Sequence, residues 1–230
     1  GDGLRLAQSA GAKLWHMQAY SCCLGVKFPG LQTAVSPSVK GAGYIWVDQD
    51  GRRFANELTD GHCQLYVVQQ FDSINHRYPR IPSYLIFDQA TLDQGPLGSS
   101  LGSGYAINRE NHRWTNDLAE EIKLGVIRKA DTIGQLAEAI GVPAKNLEET
   151  VAKWNADIKA GKDTLFGREI KAKARSYAFD APLRSAPIEK GPFYAIEQYP
   201  TLVNTQGGPR KNEKAQVLNA LNQPIPRLYA

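Results

Sequence analysis

The chain is poor in the residue types that usually announce a site. Its three cysteines, Cys22, Cys23 and Cys63, are an odd set with no CxxC pair. Neither a disulfide framework nor a zinc site follows from them. The four histidines, His16, His62, His76 and His112, show no HxH or HxxxH spacing, so no metal centre is predicted. No apolar run approaches the roughly 20 residues that cross a bilayer, and no signal peptide is visible. Charge of one sign is lacking as well. The formal excess is only +4, and the densest basic cluster, Arg210, Lys211 and Lys214, has no aromatic residues interleaved. It reads as a solvated turn, and no nucleic-acid partner is predicted. A phosphate-cradling glycine turn is also missing. The nearest string, 98–104, follows Gly95-Pro96 rather than a strand, and its spacing is wrong for a helix N-terminus. It reads as a surface loop.

What the sequence does hold is a succession of short helix and strand patterns. Residues 4–9 read as a helix that Asp2 can cap, with Gly11 in the left-handed position past its end. Residues 13–19 read as a strand. Residues 44–47 and 52–55 read as a hairpin turned by Asp48-Gln49-Asp50-Gly51. Leu65, Val68, Phe71 and Ile74 recur at helical spacing ahead of Pro79 and Pro82. Residues 84–87 form a short buried strand. Thr132 and Gln135 have capping-box spacing, and the helix they open closes at Gly141. Pro143 starts the next helix, with an apolar stripe of Leu147, Val151, Trp154 and Ile158 and a Glu149–Lys153 pair outside. Short hairpins with interspersed helices give an α+β fold. Two β patterns around Gly207-Gly208 and a hairpin follow. The apolar ending Leu228-Tyr229-Ala230 then reads as a domain cut in mid-sheet.

A series of motifs, in order, resembles the FAD-dependent fumarate reductase/succinate dehydrogenase flavoprotein superfamily. Gly1-Asp2-Gly3 with Ala7 and Gly11-Ala12 is similar to its GDG helix. Ile45-Trp46-Val47-Asp48 to Gly51-Arg52-Arg53-Phe54-Ala55-Asn56-Glu57 resembles its strand and GkRFvNE segment. Asp131-Thr132 to Gly141, then Leu147, Val151, Trp154 and Asn155, resemble two of its helices. Gly161-Lys162-Asp163 to Phe166-Gly167-Arg168 resembles its GkD..FgR loop. Pro192-Phe193-Tyr194-Ala195-Ile196, Gly207-Gly208 and Pro224-Ile225-Pro226 to Leu228-Tyr229-Ala230 resemble its PFYAI, GG and PIPGLYA signatures. Leu14-Trp15-His16-Met17 is nearer the ketosteroid-dehydrogenase-like branch. The resemblance implies a cap (swivelling) domain over 30–187, built of antiparallel hairpins and helices. It implies flanks 1–29 and 188–230 as β pieces of a truncated FAD-binding domain. FAD is then the cofactor of the intact protein. The nucleotide-binding βαβ unit is expected before Gly1, so this chain by itself is expected to hold no flavin.

The resemblance also implies positions for the chemistry. Flavin reduction chemistry needs substrate against the ring, a donor to polarise the acceptor group and an acid for the other carbon. The family's dicarboxylate grip falls on Ser21-Cys22-Cys23, on 36–43, on 56–62 and on 203–208. Its histidines, glutamate and proton-donating arginine are all replaced there. Only Lys40 remains as a cation, without an arginine's bidentate fork. Each charge-assisted hydrogen bond lost is worth about 1.5–3 kcal/mol. Fumarate and succinate are therefore predicted not to be substrates, and a bulkier ring or enone compound is expected. The candidate catalytic residues are Tyr199 and His62. Tyr199 would be a donor to a carbonyl or a packing residue, and His62 a replacement acid or a surface histidine. The candidate substrate-binding residues are Asn204, Gln206, Cys23, Lys40 and Glu57. Cys23 also fits a small buried hydrophobe, and Glu57 a brace for its loop. The candidate cofactor contacts are Asp2, Gly207 and Gly208, the glycines because bare backbone can approach a ring closely.

The expected function is a fragment of an FAD-dependent oxidoreductase that reduces or desaturates a carbon–carbon bond of a non-dicarboxylate. The cap would close over flavin and substrate. Its expected partners are a small-molecule substrate and the rest of its own flavoprotein, with a dimer through the cut strand edges also open. The alternative is a stand-alone small-molecule binding or interaction module without catalysis.

Overall fold

The structure, a computed structural model, describes all residues except 1, 32–33, 40, 42, 59–63, 100–111, 113, 171–173, 177–178 and 184. It mixes helix and sheet. The strands are β1 (Leu14–Trp15), β2 (Tyr20–Gly25), β3 (Pro37–Ser38), β4 (Tyr44–Val47), β5 (Ser83–Asp88), β6 (Gly98–Ser99), β7 (Ile127–Ala130), β8 (Ala174–Ser176), β9 (Phe179–Leu183), β10 (Phe193–Thr205), β11 (Gly208–Pro209), β12 (Gln216–Leu218) and β13 (Pro224–Tyr229). The helices are α1 (Asp2–Ser9), α2 (Gln64–Val68), α3 (Gln89–Leu92), α4 (Ala119–Lys123), α5 (Ile133–Ile140) and α6 (Ala144–Ala160). The chain divides into two compact units, one of 1–22 with 202–230 and one of 23–201.

The larger unit is organised by a sheet in the order β2–β10–β5–β4, with β7 also on β10. β5 is central, antiparallel to β10 through Ala195↔Ile86 and to β4 through Ile45↔Ile86. Successive side chains of a strand point to opposite faces, and here both faces are covered. Trp46, Leu85, Phe87, Tyr194 and Ile196 pack with Leu24, Val26 and Phe28 on one face. Ile45, Val47, Ile86, Phe193 and Ala195 pack on Leu136, Leu147, Val151 and Trp154 of α5 and α6 on the other. This is why β5 carries no polar alternation: all six of its residues are buried. At the start of α5 the expected capping box forms. Thr132 Oγ1 accepts from the Gln135 amide, and Gln135 Oε1 accepts from the Thr132 amide, each at 3.2 Å. Gly141 closes the helix at φ 73°, a left-handed conformation that strains any residue with a Cβ.

Several local expectations are corrected. The strand read over 13–19 shortens to β1, because His16 turns left-handed at φ 55° and its carbonyl accepts from the Ala19 amide at 2.9 Å. The helix read through Phe71 and Ile74 stops at Val68. Beyond it the Asp72 carboxylate accepts from the Ile74 and Asn75 amides at 3.0 and 3.1 Å, which favours a turn over a helix. Phe71 and Ile74 lie exposed. The hairpin partner 52–55 reduces to a single bridge, Val47↔Arg53, since Arg53 turns inward to buried carboxylates. Glu149 pairs with Lys145, and Lys153 with Asp157, in place of the Glu149–Lys153 pair. Asp2 lies within the first turn of α1 rather than ahead of it.

Candidate functional site

In the smaller unit the 204–208 segment is fastened to the turn between β1 and β2. The Gln206 amide N–H donates to Ala19 O at 3.0 Å. Gln206 Nε2 donates to Ser21 Oγ at 2.5 Å, and Ser21 is fully buried. A Cβ on Gly207 would stand 2.7 Å from both His16 O and Met17 Cα, so the chain's own turn demands glycine there. Gly208 pairs with Trp15 across β1–β11, and a Cβ on it would meet nothing within 4 Å among the described residues. Its bare side is therefore open. Trp15 is covered by the Arg210 guanidinium at 4.5 Å and tilts against His16 at 4.6 Å. Asn204 is exposed at the end of β10.

In the larger unit Tyr199 lies half-buried on β10. Its hydroxyl donates to Glu197 Oε1, and Lys27 Nζ lies 3.8 Å above its ring. The hydrogen bond to Glu197, then burial, pushes the phenol up to about 12. Glu197 stands two residues away on the same side of the strand, so period-two alternation could have found it.

Glu57 lies in a buried ion cluster. Arg53 donates to it through Nε and a terminal nitrogen, each at 2.9 Å, and to both oxygens of Asp163 at 3.1 Å. Arg168 donates to Glu57 at 3.1 Å and to Tyr44 O at 2.6 Å, and the Trp46 amide donates to Glu57 at 3.2 Å. The Trp154 ring lies 4.6 Å from the Arg53 guanidinium and 4.7 Å from that of Arg168. Burial pushes the Asp163 carboxyl up, but the Arg53 and Arg168-amide hydrogen bonds outweigh it and hold the group down at about 2. Two cations meet two carboxylates, which is the condition for burying charge at all. No sequence signal links Arg53 to Asp163.

Cys23 is buried in β2. His62 and Lys40 lie outside the described residues. Gln206, Gly207 and Gly208 are thus brought together with β1 in the smaller unit, while Tyr199 and Glu57 each have their own neighbours in the larger one. Among the described residues there is no group of three His, Cys, Asp or Glu that could hold a metal, and no helix long and apolar enough to cross a membrane.

The open side of Gly208 beside a rigid backbone gives a flat ring one wall to lie against, so the residues present fit a flavin there. The chain is 31% identical over 231 residues to the fumarate reductase (cytochrome) of Shewanella frigidimarina, covering all of this chain and 33% of that protein. It is 32% identical over 242 residues to the 4-oxocyclohexanecarboxylate 2-dehydrogenase of Sinomonas cyclohexanicum, again over the whole chain and 39% of the relative. The crystal structure of 3-ketosteroid delta1-dehydrogenase from Sterolibacterium denitrificans, in complex with 1,4-androstadiene-3,17-dione, matches with a TM-score of 0.72 at 27% identity, over 100% of this chain and 40% of that one. The chain thus spans about a third to two-fifths of the length of these relatives. The family model described as FAD binding domain matches residues 1–230, and the chain belongs to that family, among flavoproteins of the fumarate reductase and ketosteroid dehydrogenase type.

Proposed function

We propose that the protein carrying this sequence is an FAD-dependent oxidoreductase that reduces or desaturates a carbon–carbon bond next to a ketone in a ring-containing, non-dicarboxylate substrate. The observation that carries the reading is the neutral surface of 204–208. Asn204 and Gln206 present amides, and Gln206 is held by a serine rather than by a charged group. Likeness to a dehydrogenase crystallised with a steroid diketone supports it. FAD, when bound, supplies the hydride chemistry. Gly208 would give it a close backbone wall, Gly207 would hold the turn that presents it, and Asp2 would add a contact at the start of α1.

The remaining roles belong to the proposal. The larger unit acts as the cap, and Tyr199 donates its O–H to the substrate carbonyl in exchange for Glu197. A phenol, whose ordinary pKa is 10.0, carries that proton at neutral pH. His62 supplies or removes the other proton, while Cys23 and Lys40 line the substrate side. Glu57 serves the site by bracing its loop, since its carboxylate is already filled by Arg53, Arg168 and the Trp46 amide.

Turnover of a panel of 3-ketosteroids, cyclohexenones, succinate and fumarate with an artificial electron acceptor or donor tests the reading. Ring ketones are expected to turn over, and Tyr199→Phe to lower kcat by roughly 10²-fold, the cost of losing one positioned donor. Preference for succinate or fumarate would contradict it.

A further inference from the structure

Gln206 is fastened twice, by its main chain to Ala19 and by its side chain to Ser21. Ser21 is fully buried at the head of β2, whereas Gln206 is exposed. One amide N–H therefore rests on a buried floor. The Oε1 atom and the second N–H have no further partner among the described residues. The segment cannot easily shift, because Gly207 is wedged beneath the His16–Met17 backbone and Gly208 is paired to Trp15. Of the cations described in this unit, Arg210 lies over the Trp15 ring and Lys13 Nζ donates to Asn222 Oδ1 at 3.0 Å, and no contact between either of them and Gln206 is seen among the described residues.

We propose that Ser21 is a positioning residue that sets substrate preference: it holds the Gln206 carboxamide so that its free edge receives an uncharged oxygen, of a ketone or a hydroxyl, in preference to a carboxylate. The inference rests on the oxidoreductase reading above. A carboxamide edge offers one donor and one acceptor. A ketone uses the donor and a hydroxyl can use either. A carboxylate uses only the donor, repels Oε1 and brings a charge that the uncharged carboxamide edge does not neutralise, so its desolvation is poorly offset. Without the serine the amide is free to rotate, and its ordering must then come out of the binding free energy.

The test is anaerobic titration of the flavin-loaded protein carrying this sequence, with 1,4-androstadiene-3,17-dione and with fumarate, read as perturbation of the flavin absorbance. The diketone is expected to bind more tightly than fumarate. Ser21→Ala should weaken diketone binding by about tenfold, the loss of one hydrogen bond, with flavin content unchanged. Gln206→Leu, at an exposed position, should weaken it at least as much. The double variant should match Gln206→Leu in diketone binding, since the proposal has Ser21 reach the substrate through Gln206. Unchanged binding in Ser21→Ala, losses that simply add, or tighter fumarate binding would each overturn the inference. A flavin-loaded protein that binds neither probe overturns it too, yet leaves the flavin assignment standing. A protein that takes up no FAD sinks the proposed function and this inference together.

Discussion

A single tyrosine shows how much a neighbour decides. Tyr199 alone is a residue that could either donate or pack. With Glu197 accepting a hydrogen bond from its hydroxyl, and with burial, it becomes a phenol pushed up to about 12. Ultraviolet difference titration should find Tyr199 among the tyrosines that ionise above the ordinary 10.0, with Tyr44, Tyr84 and Tyr194 raised as well. Glu197→Gln should return Tyr199 toward the ordinary range, and Tyr199→Phe should remove it. An unchanged titration in Glu197→Gln would show that the carboxylate does not govern the phenol. Tyr199, Gln206 and Gly207 could be named as candidates from the sequence because each sits in a motif. Ser21 was legible only as a replaced position, since its hydrogen bond to Gln206 joins residues at opposite ends of the chain.

At the scale of elements, what could be read was what is local. The capping box at Thr132 and the Leu147, Val151 and Trp154 stripe depend on residues within a few turns of one another, and both formed. Thr132→Ala should cost about 1 kcal/mol in chemical denaturation. The helix read through Ile74 failed because Asp72 offers the backbone a competing turn. The ion cluster was not legible at all, since Arg53 and Asp163 meet only through the fold. It joins the end of β4, the loop after α6 and the Glu57 turn. Arg53→Ala leaves two buried carboxylates without their shared cation, and should cost about 3–5 kcal/mol. The pH dependence has a definite sign. The Asp163 carboxyl is held at about 2 against an ordinary 3.8, so its contribution is present at neutral pH. It is lost as pH falls from near 3.8 through about 2. Acid titration followed by circular dichroism should show Asp163→Asn weaker at neutral pH and flatter across that window. A wild-type-like acid limb in Asp163→Asn would remove the carboxyl from the account.

For the molecule as a whole, the family was legible because its motifs are spread along the chain in order, and the match over 1–230 shows it. The division into 23–201 and a smaller unit of both ends was less so, because strands β2 and β10 run through the boundaries without a change in composition. The proposed substrate preference rests on a neutral 204–208 segment, in which Gln206 is held by Ser21. The most direct test is anaerobic reoxidation of the dithionite-reduced flavin in the protein carrying this sequence, with 1,4-androstadiene-3,17-dione in one syringe and fumarate in the other. The account predicts rapid return of the oxidised flavin band with the dienone and little with fumarate. Faster return with fumarate would contradict it.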